Sequence, residues 1–402
     1  PKILNHLTQE INQIVDKKEQ VKNNARTALY IKTIDMIKDN LLLGVGPGNW
    51  KKEFPKYGLK NTVGQKGDKF VQRPHSDFLW FFAEGGIVSG ILYILLFAFL
   101  LKDTLLFYLN RKEKKRYFFL ILFSTTLGYI IISLFDFPSE RPTHNLFLAI
   151  ILGLIIGERL KQRKDYNATN KLFSIILMSL FSINIAFASI RYQGDLHMTN
   201  ALQYKSINNW KAMMNELDMA YNQYLYDMDN TSTPLHWYYG IAYFNKGELN
   251  MAFDYFKKAY IANPYHLHVI NNLATCYGYN NDYNKAKELY KESLSISPRF
   301  EEAALNLAAI YSYEQKDEEA LDLLLGARDF QAKNDKHLSK AYIHSFNTIF
   351  SKLSNKILHD EENDTKKMLI LAENKKIFYR QIKKINLLRK QGNTYKTIIK
   401  NL

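Results

Sequence analysis

Arg73-Pro74-His75-Ser76-Asp77 stands immediately before a long apolar run, and that run contains Glu84-Gly85-Gly86. Upstream, Arg26 lies in a helix-like stretch, and Gly44 to Gly48 spell GVGPG ahead of Asn49-Trp50. Histidine titrates near neutrality, so it can take a proton from a weak nucleophile such as a hydroxyl. The guanidinium fork of arginine matches the oxygens of a phosphate. An ionisable cluster at a bilayer surface is costly to keep dry, which makes this group a candidate site. The plainer alternatives stand beside it: His75 as an interfacial or capping residue, and Arg73 and Arg141 as cations among lipid headgroups.

The elements that must position these residues follow from hydropathy. Very apolar and very charged blocks alternate along the 402 residues, which is incompatible with one soluble globule. Four segments read as membrane spans, at 78–101, 117–135, 144–157 and 172–190. The third has few clean apolar residues and depends on Glu158 and Arg159 snorkelling to lengthen it. The loops after the first and third spans together hold eleven Lys and Arg against four acids, so both are expected to be cytoplasmic. The loop from Asp136 to Thr143 has only Arg141, and is expected outside together with His75 and everything after Arg191. The chain starts at Pro1 with no signal-peptide pattern, so it is expected to continue upstream.

The net charge of +15 would ordinarily raise nucleic-acid binding. Its location argues against that partner, because the basic loops are explained by membrane orientation. The remainder lies in residues 336–402, with fifteen Lys and Arg against five acids; it faces anionic headgroups or phosphorylated glycans, or is simply a solvated helical face. A single cysteine, Cys276, permits no intrachain disulfide.

After Arg191 the pattern becomes a repeat. Gly240, Tyr243, Gly247, Ala252, Phe256, Ala259 and Pro264 have tetratricopeptide spacing, and the register recurs at Ala274, Tyr277, Asn281, Ala286, Tyr290, Ser293 and Pro298. It recurs again at Ala308, Tyr311, Gln315, Ala320, Leu324 and Ala327. Small residues let paired helices approach, aromatic ones fill the space between them, and proline stops the second helix. A degenerate copy with Tyr204, Leu217 and Ala220 reads as an N-terminal adaptor. The expected organisation is therefore all-α, with polytopic transmembrane helices followed by a tetratricopeptide α-solenoid. Residues 1–77 form an extracytoplasmic loop region and 78–190 the four spans. Residues 191–334 hold the repeats, as a degenerate unit at 197–230 and units at 233–266, 267–300 and 301–334. Residues 335–402 form a basic helical cap. The concave surface of such a stack is expected to bind a protein partner, or to serve as a spacer or dimerisation surface.

Several motifs read structurally. The GVGPG segment lacks the Lys-Ser/Thr ending of a P-loop and is expected to be a turn that places Asn49 and Trp50 at the surface. Glu84 lies roughly 14 Å from His75 along a helix, so it is expected to face a polar cavity or pack on Gly85 and Gly86. Asp136, Glu140 and His144 have too few nitrogen donors to make a convincing metal site.

Arg26, GVGPG with Asn49-Trp50, His75-Ser76 with Glu84-Gly85-Gly86 and a span, and His144-Asn145 at the next outer entry together resemble the bacterial O-antigen ligase and polymerase superfamily. That superfamily includes O-linked oligosaccharyltransferases, and the resemblance covers roughly residues 20–160. It implies a membrane glycosyltransferase that moves a glycan from an undecaprenyl-diphosphate carrier to an acceptor hydroxyl on glycan, lipid or protein, at the outer face of the inner membrane. No cofactor is implied. The resemblance maps the catalytic histidine onto His75 and the loop arginine onto Arg26, while the family's earlier arginine has no counterpart here. Arg73 and Arg141 then help to hold the diphosphate, Arg141 and His144 alternatively line the acceptor path, and Asp77 is a possible partner orienting His75. A polymerase, or a non-catalytic membrane scaffold carrying repeats, are the competing readings.

Overall fold

Apolar runs long enough to span hydrocarbon set the first half of the chain. The computed structural model describes residues 25–110, 113–161, 171–328, 339–359 and 375–400. The chain separates into two compact units, Pro1–Tyr57 with Val71–Ser232, and Gly58–Phe70 with Thr233–Leu402. The fold is all-α, with no strands among the described residues and one isolated bridge between Asn222 and Tyr226.

The first unit opens with α1 (Ala25–Asp39), which buries Ala28, Leu29, Thr33 and Met36. A one-turn helix, α2 (Trp50–Glu53), and a 3-10 turn at Phe54–Tyr57 follow the GVGPG segment. Among the described residues, four helices are long and apolar enough to cross a membrane. They are α3 (Asp77–Asn110), α4 (Glu113–Phe135), α5 (Pro142–Lys161) and α6 (Lys171–Ser206). The weakest expected span thus becomes a helix of 20 residues, enough to cross the hydrocarbon. Arg159, near its end, does not simply snorkel: its guanidinium grips both oxygens of the buried Asp103 on α3 at 2.7 and 2.5 Å. Tyr93, Phe97, Leu100, Phe119, Tyr129 and Ile155 form the core where α3, α4 and α5 meet. Within α6 the apolar stretch buries nothing, leaving a face suited to lipid or to other helices. The helix continues unbroken past Arg191 to Ser206, then pairs with α7 (Trp210–Ala220), burying Ala201, Leu217 and Ala220.

The second unit contains three consecutive helical hairpins: α8 (Leu235–Asn245) with α9 (Leu249–Ala262), α10 (Leu267–Tyr279) with α11 (Tyr283–Ile296), and α12 (Glu301–Tyr313) with α13 (Asp317–Gly326). Their turns repeat in backbone conformation as well as in spacing. Gly247, Asn281 and Gln315 all adopt left-handed φ, at 80°, 61° and 63°. Ala252, Ala286 and Ala320 are wholly buried where the helices cross, and Phe256, Tyr290 and Leu324 fill the neighbouring space. Gly240 is required for closeness, since a Cβ there would lie 2.5 Å from the Phe256 ring. Tyr277 is only half-buried and meets Phe253 of the preceding repeat edge-on at 4.9 Å, so this position joins hairpins. The stack is closed by α14 (Lys340–His359), α15 (Lys375–Lys390) and α16 (Tyr395–Lys400). Phe346, Phe350, Phe378, Ile382, Tyr395 and Ile399 bury their apolar faces on the last repeat.

Candidate functional site

The break in α3 is where the site is assembled. Gly86 has φ 68° and ψ −167°, a conformation closed to other residues, and it interrupts the helix close to its start. The GVGPG turn docks into this interruption. Val45 N–H donates to Ala83 O and Gly46 N–H to Glu84 O, both at 2.9 Å, while Ile87 N–H donates to Leu41 O at 2.8 Å. Two glycines permit the contact: a Cβ on Gly44 would stand 2.4 Å from the Glu84 backbone, and one on Gly86 2.2 Å from Leu42 O.

The Glu84 side chain closes the assembly. Its carboxylate accepts Gly48 N–H at 2.9 Å and Trp50 N–H at 3.1 Å, satisfying donors at the start of α2 that have no intrahelical acceptor. Glu84 therefore braces the turn. It also borders, with Pro47, Trp80, Phe81, Gly85, Ser89 and Ser139, an open cavity of about 270 Å3. The expectation for Trp50 is corrected: the ring is buried, stacks on Phe54 at 4.4 Å and donates to Thr33 Oγ1, because its large apolar surface is what anchors α2 to α1. Asn49 is exposed.

His75 sits two residues before the start of α3 at Asp77, in the left-handed region with φ 57°. Histidine tolerates this conformation better than most residues, but it still carries strain. Tyr30 of α1 holds it there by donating from its hydroxyl to His75 O at 2.8 Å. The imidazole meets the Phe137 ring edge-on at 5.2 Å, and among the described residues no group hydrogen-bonds its nitrogens. Burial pushes its pKa below the ordinary 6.5, the Arg26 charge lowers it further, Asp136 opposes and Arg73 adds to the depression. Arg26 and Arg73 are therefore electrostatic neighbours of the ring.

Phe137 is the hub of the cationic group. The Arg73 guanidinium lies 4.2 Å from the ring centroid and that of Arg141 5.0 Å. Each is also ion-paired, Arg73 Nη2 to Glu140 at 2.6 Å and Arg141 Nη2 to Asp136 at 2.7 Å. Arg73 Nε is buried with no acceptor among the described residues.

Asp77 and His144 have partners of their own. The oxygens of Asp77 accept Ser139 N–H at 2.9 Å, Ser139 Oγ–H at 2.7 Å and the Tyr93 hydroxyl at 3.3 Å. These contacts tie the start of α3 to the loop that carries Phe137. His144, on the first turn of α5, lies 3.4 Å from its neighbour's Thr143 hydroxyl.

Lys51 is a group that sequence reasoning passed over. Its ammonium donates to Asn230 O at 2.7 Å, and burial lowers its pKa while Asp229 works the other way. Tyr30 and Phe137 were equally inconspicuous, being single aromatics without a motif. Among the described residues no cluster of His, Cys, Asp or Glu has the form of a metal site.

Comparison with known proteins gives matches to two family models. Residues 2–94 match the family model described as O-antigen ligase, and residues 267–300 match that of the tetratricopeptide repeat. No curated protein matches the chain. Among solved structures, MamA from AMB-1 is similar at 15% identity, covering 50% of this chain and 93% of that one with a TM-score of 0.31. The nearly identical TPR-like repeats of a Podosopora anserina kinesin-light-chain sequence are similar at 16% identity, covering 52% and 99%, with a TM-score of 0.32. The chain joins an O-antigen ligase-like membrane segment to a domain of tetratricopeptide repeats.

Proposed function

We propose that this protein transfers a glycan from an undecaprenyl-diphosphate carrier to an acceptor hydroxyl outside the cytoplasmic membrane. The observation that carries this reading is His75 itself: a strained residue, pinned through its carbonyl, whose imidazole pKa is lowered by burial and by the Arg26 charge. In the transfer, the acceptor hydroxyl gives its proton to His75 as its oxygen attacks the anomeric carbon. The bond from that carbon to the diphosphate oxygen breaks, and the carrier diphosphate leaves with the electron pair.

Arg26, Arg73 and Arg141 offset the charge that builds on the leaving group. Their ion pairs do not disqualify them. A guanidinium has five N–H donors, and the carboxylate of Glu140 or Asp136 engages only part of each fork. The unpaired, buried Nε of Arg73 is the kind of donor that an anion satisfies.

The orientation argument gains from the fold. Residues 58–70 fold together with residues 233–402, which supports a reading in which the loop ahead of His75 and the repeats share one side of the membrane. The basic loops favour the cytoplasm for the opposite side, which supports a periplasmic placement of the repeats in this reading. The test is turnover: membranes carrying the protein, given lipid-linked glycan and acceptor, should release one carrier diphosphate per glycan transferred. A scaffold without catalysis yields neither product.

A further inference from the structure

The repeat unit contains a stretch of chain foreign to it in sequence. Residues 58–70 leave the membrane unit after Tyr57 and return to it at Val71, five residues ahead of the Ser76–Asp77 entry to α3, yet they fold with the repeats. The stretch lies along the edge where consecutive hairpins meet. Leu59 N–H donates to Ile296 O at 2.6 Å, the Ser297 hydroxyl donates to Gln65 O, and His268 Nε2 is 3.0 Å from Gly67 O.

Two positions add side-chain selectivity to these main-chain contacts. Gly67, at φ 77°, presses against Phe300 so closely that a Cβ would come within 2.5 Å of the ring. Phe70 stacks on His266 with centroids 5.1 Å apart. His266 is itself held as a neutral platform, buried, accepting Val269 N–H and lying 3.0 Å from the Thr233 hydroxyl. Main-chain hydrogen bonds that give affinity, with pockets that select particular side chains, are the marks of a peptide-binding surface.

We propose that the peptide ligand of this repeat edge is the chain's own residues 58–70, captured in cis, and that the capture positions the Arg73-Pro74-His75 segment for glycan transfer. The inference rests on the function proposed above. Phe70 is the positioning residue with the most direct leverage, because its stacking is the last anchor on the repeats before His75. A foreign peptide at this edge would have to displace a ligand already tethered at both ends, which has a large effective-concentration advantage.

The experiment uses the full chain in membranes, with Cys276→Ala and the buried Thr62→Cys as a maleimide reporter. The Phe70→Ala Ser297→Ala variant should label about tenfold faster or more, since the stretch opens locally. Transfer should fall about tenfold or more, because small misplacements of catalytic groups are costly. Phe70→Tyr, which keeps the stacking ring, should restore both readouts to the parent level.

Unchanged labelling in the double variant overturns the capture. Faster labelling with undiminished transfer overturns the positioning role and leaves the proposed function standing. Loss of the function reading is separate: it is signalled by transfer that survives His75→Ala, whatever the labelling shows.

Discussion

His75 was conspicuous in the sequence as an ionisable residue at the mouth of a span, but its surroundings were not. Asp77 looked like its partner because it is two residues away. The folded chain sends that carboxylate to Ser139 and Tyr93, and uses Tyr30, 45 residues upstream, to hold the His75 backbone. Sequence proximity does not reveal these contacts, because Ser139 lies 62 residues from Asp77 and Tyr30 45 residues from His75 along the chain. The electrostatics yield a prediction with a definite sign. A general base must be neutral, and burial, Arg26 and Arg73 all lower the His75 pKa against the opposing Asp136. The acid limb of the transfer rate should therefore lie below pH 6.5. Arg73→Gln should move that limb upward and Asp136→Asn should move it further down. A pH–rate profile whose acid limb lies at or above 6.5 in the parent would contradict the assignment.

At the scale of elements, the GVGPG turn was legible as a turn, and the helices were legible as spans. Their interlock was not, because Gly44 and Gly86 meet although they stand 42 positions apart in the chain, and nothing local marks the pairing. Gly86→Ala places a methyl 2.2 Å from Leu42 O and forces a Gly-only conformation, with the backbone term alone costing about 1–3 kcal/mol. In detergent, this variant should unfold at a clearly lower temperature than the parent. Gly153→Ala is the control, since its added methyl meets nothing within 4 Å. Equal melting of the two variants would show that the interlock does not hold the turn. Glu84 makes the same point with chemistry: Glu84→Ala removes the acceptor of the Gly48 and Trp50 N–H groups, and the cost, about 1 kcal/mol or more, falls mainly on the part-buried Trp50 N–H because that of Gly48 is exposed to water. Limited proteolysis should cut between residues 44 and 50 faster in Glu84→Ala than in the parent, with Glu84→Gln between them because one acceptor oxygen remains.

At the scale of the whole molecule, the repeats were the most legible part. Their small and aromatic residues recur every 34 positions, and each recurrence reports a local helix crossing. The capture of residues 58–70 left no such trace, since most of its contacts run through main-chain atoms, which any sequence supplies. Topology is testable at this scale. Cys276 is unsuitable as a reporter: it is buried and its thiol is pushed up to about 12 by that burial. In a Cys276→Ala background, cysteines at the exposed Val63 and Ile261 should both label from the periplasmic side of intact cells. Labelling of either from the cytoplasm alone would overturn the shared-side arrangement and, with it, access to a donor presented outside.

The most direct test of the central claim is glycan transfer from undecaprenyl diphosphate by the full chain and its His75→Ala and Arg26→Ala variants, compared at equal membrane abundance. Removal of the base should lower the rate by about 10²-fold or more, and removal of the guanidinium should also lower it, as expected for groups acting on the transition state. Transfer that continues at the parent rate in both variants would contradict the account.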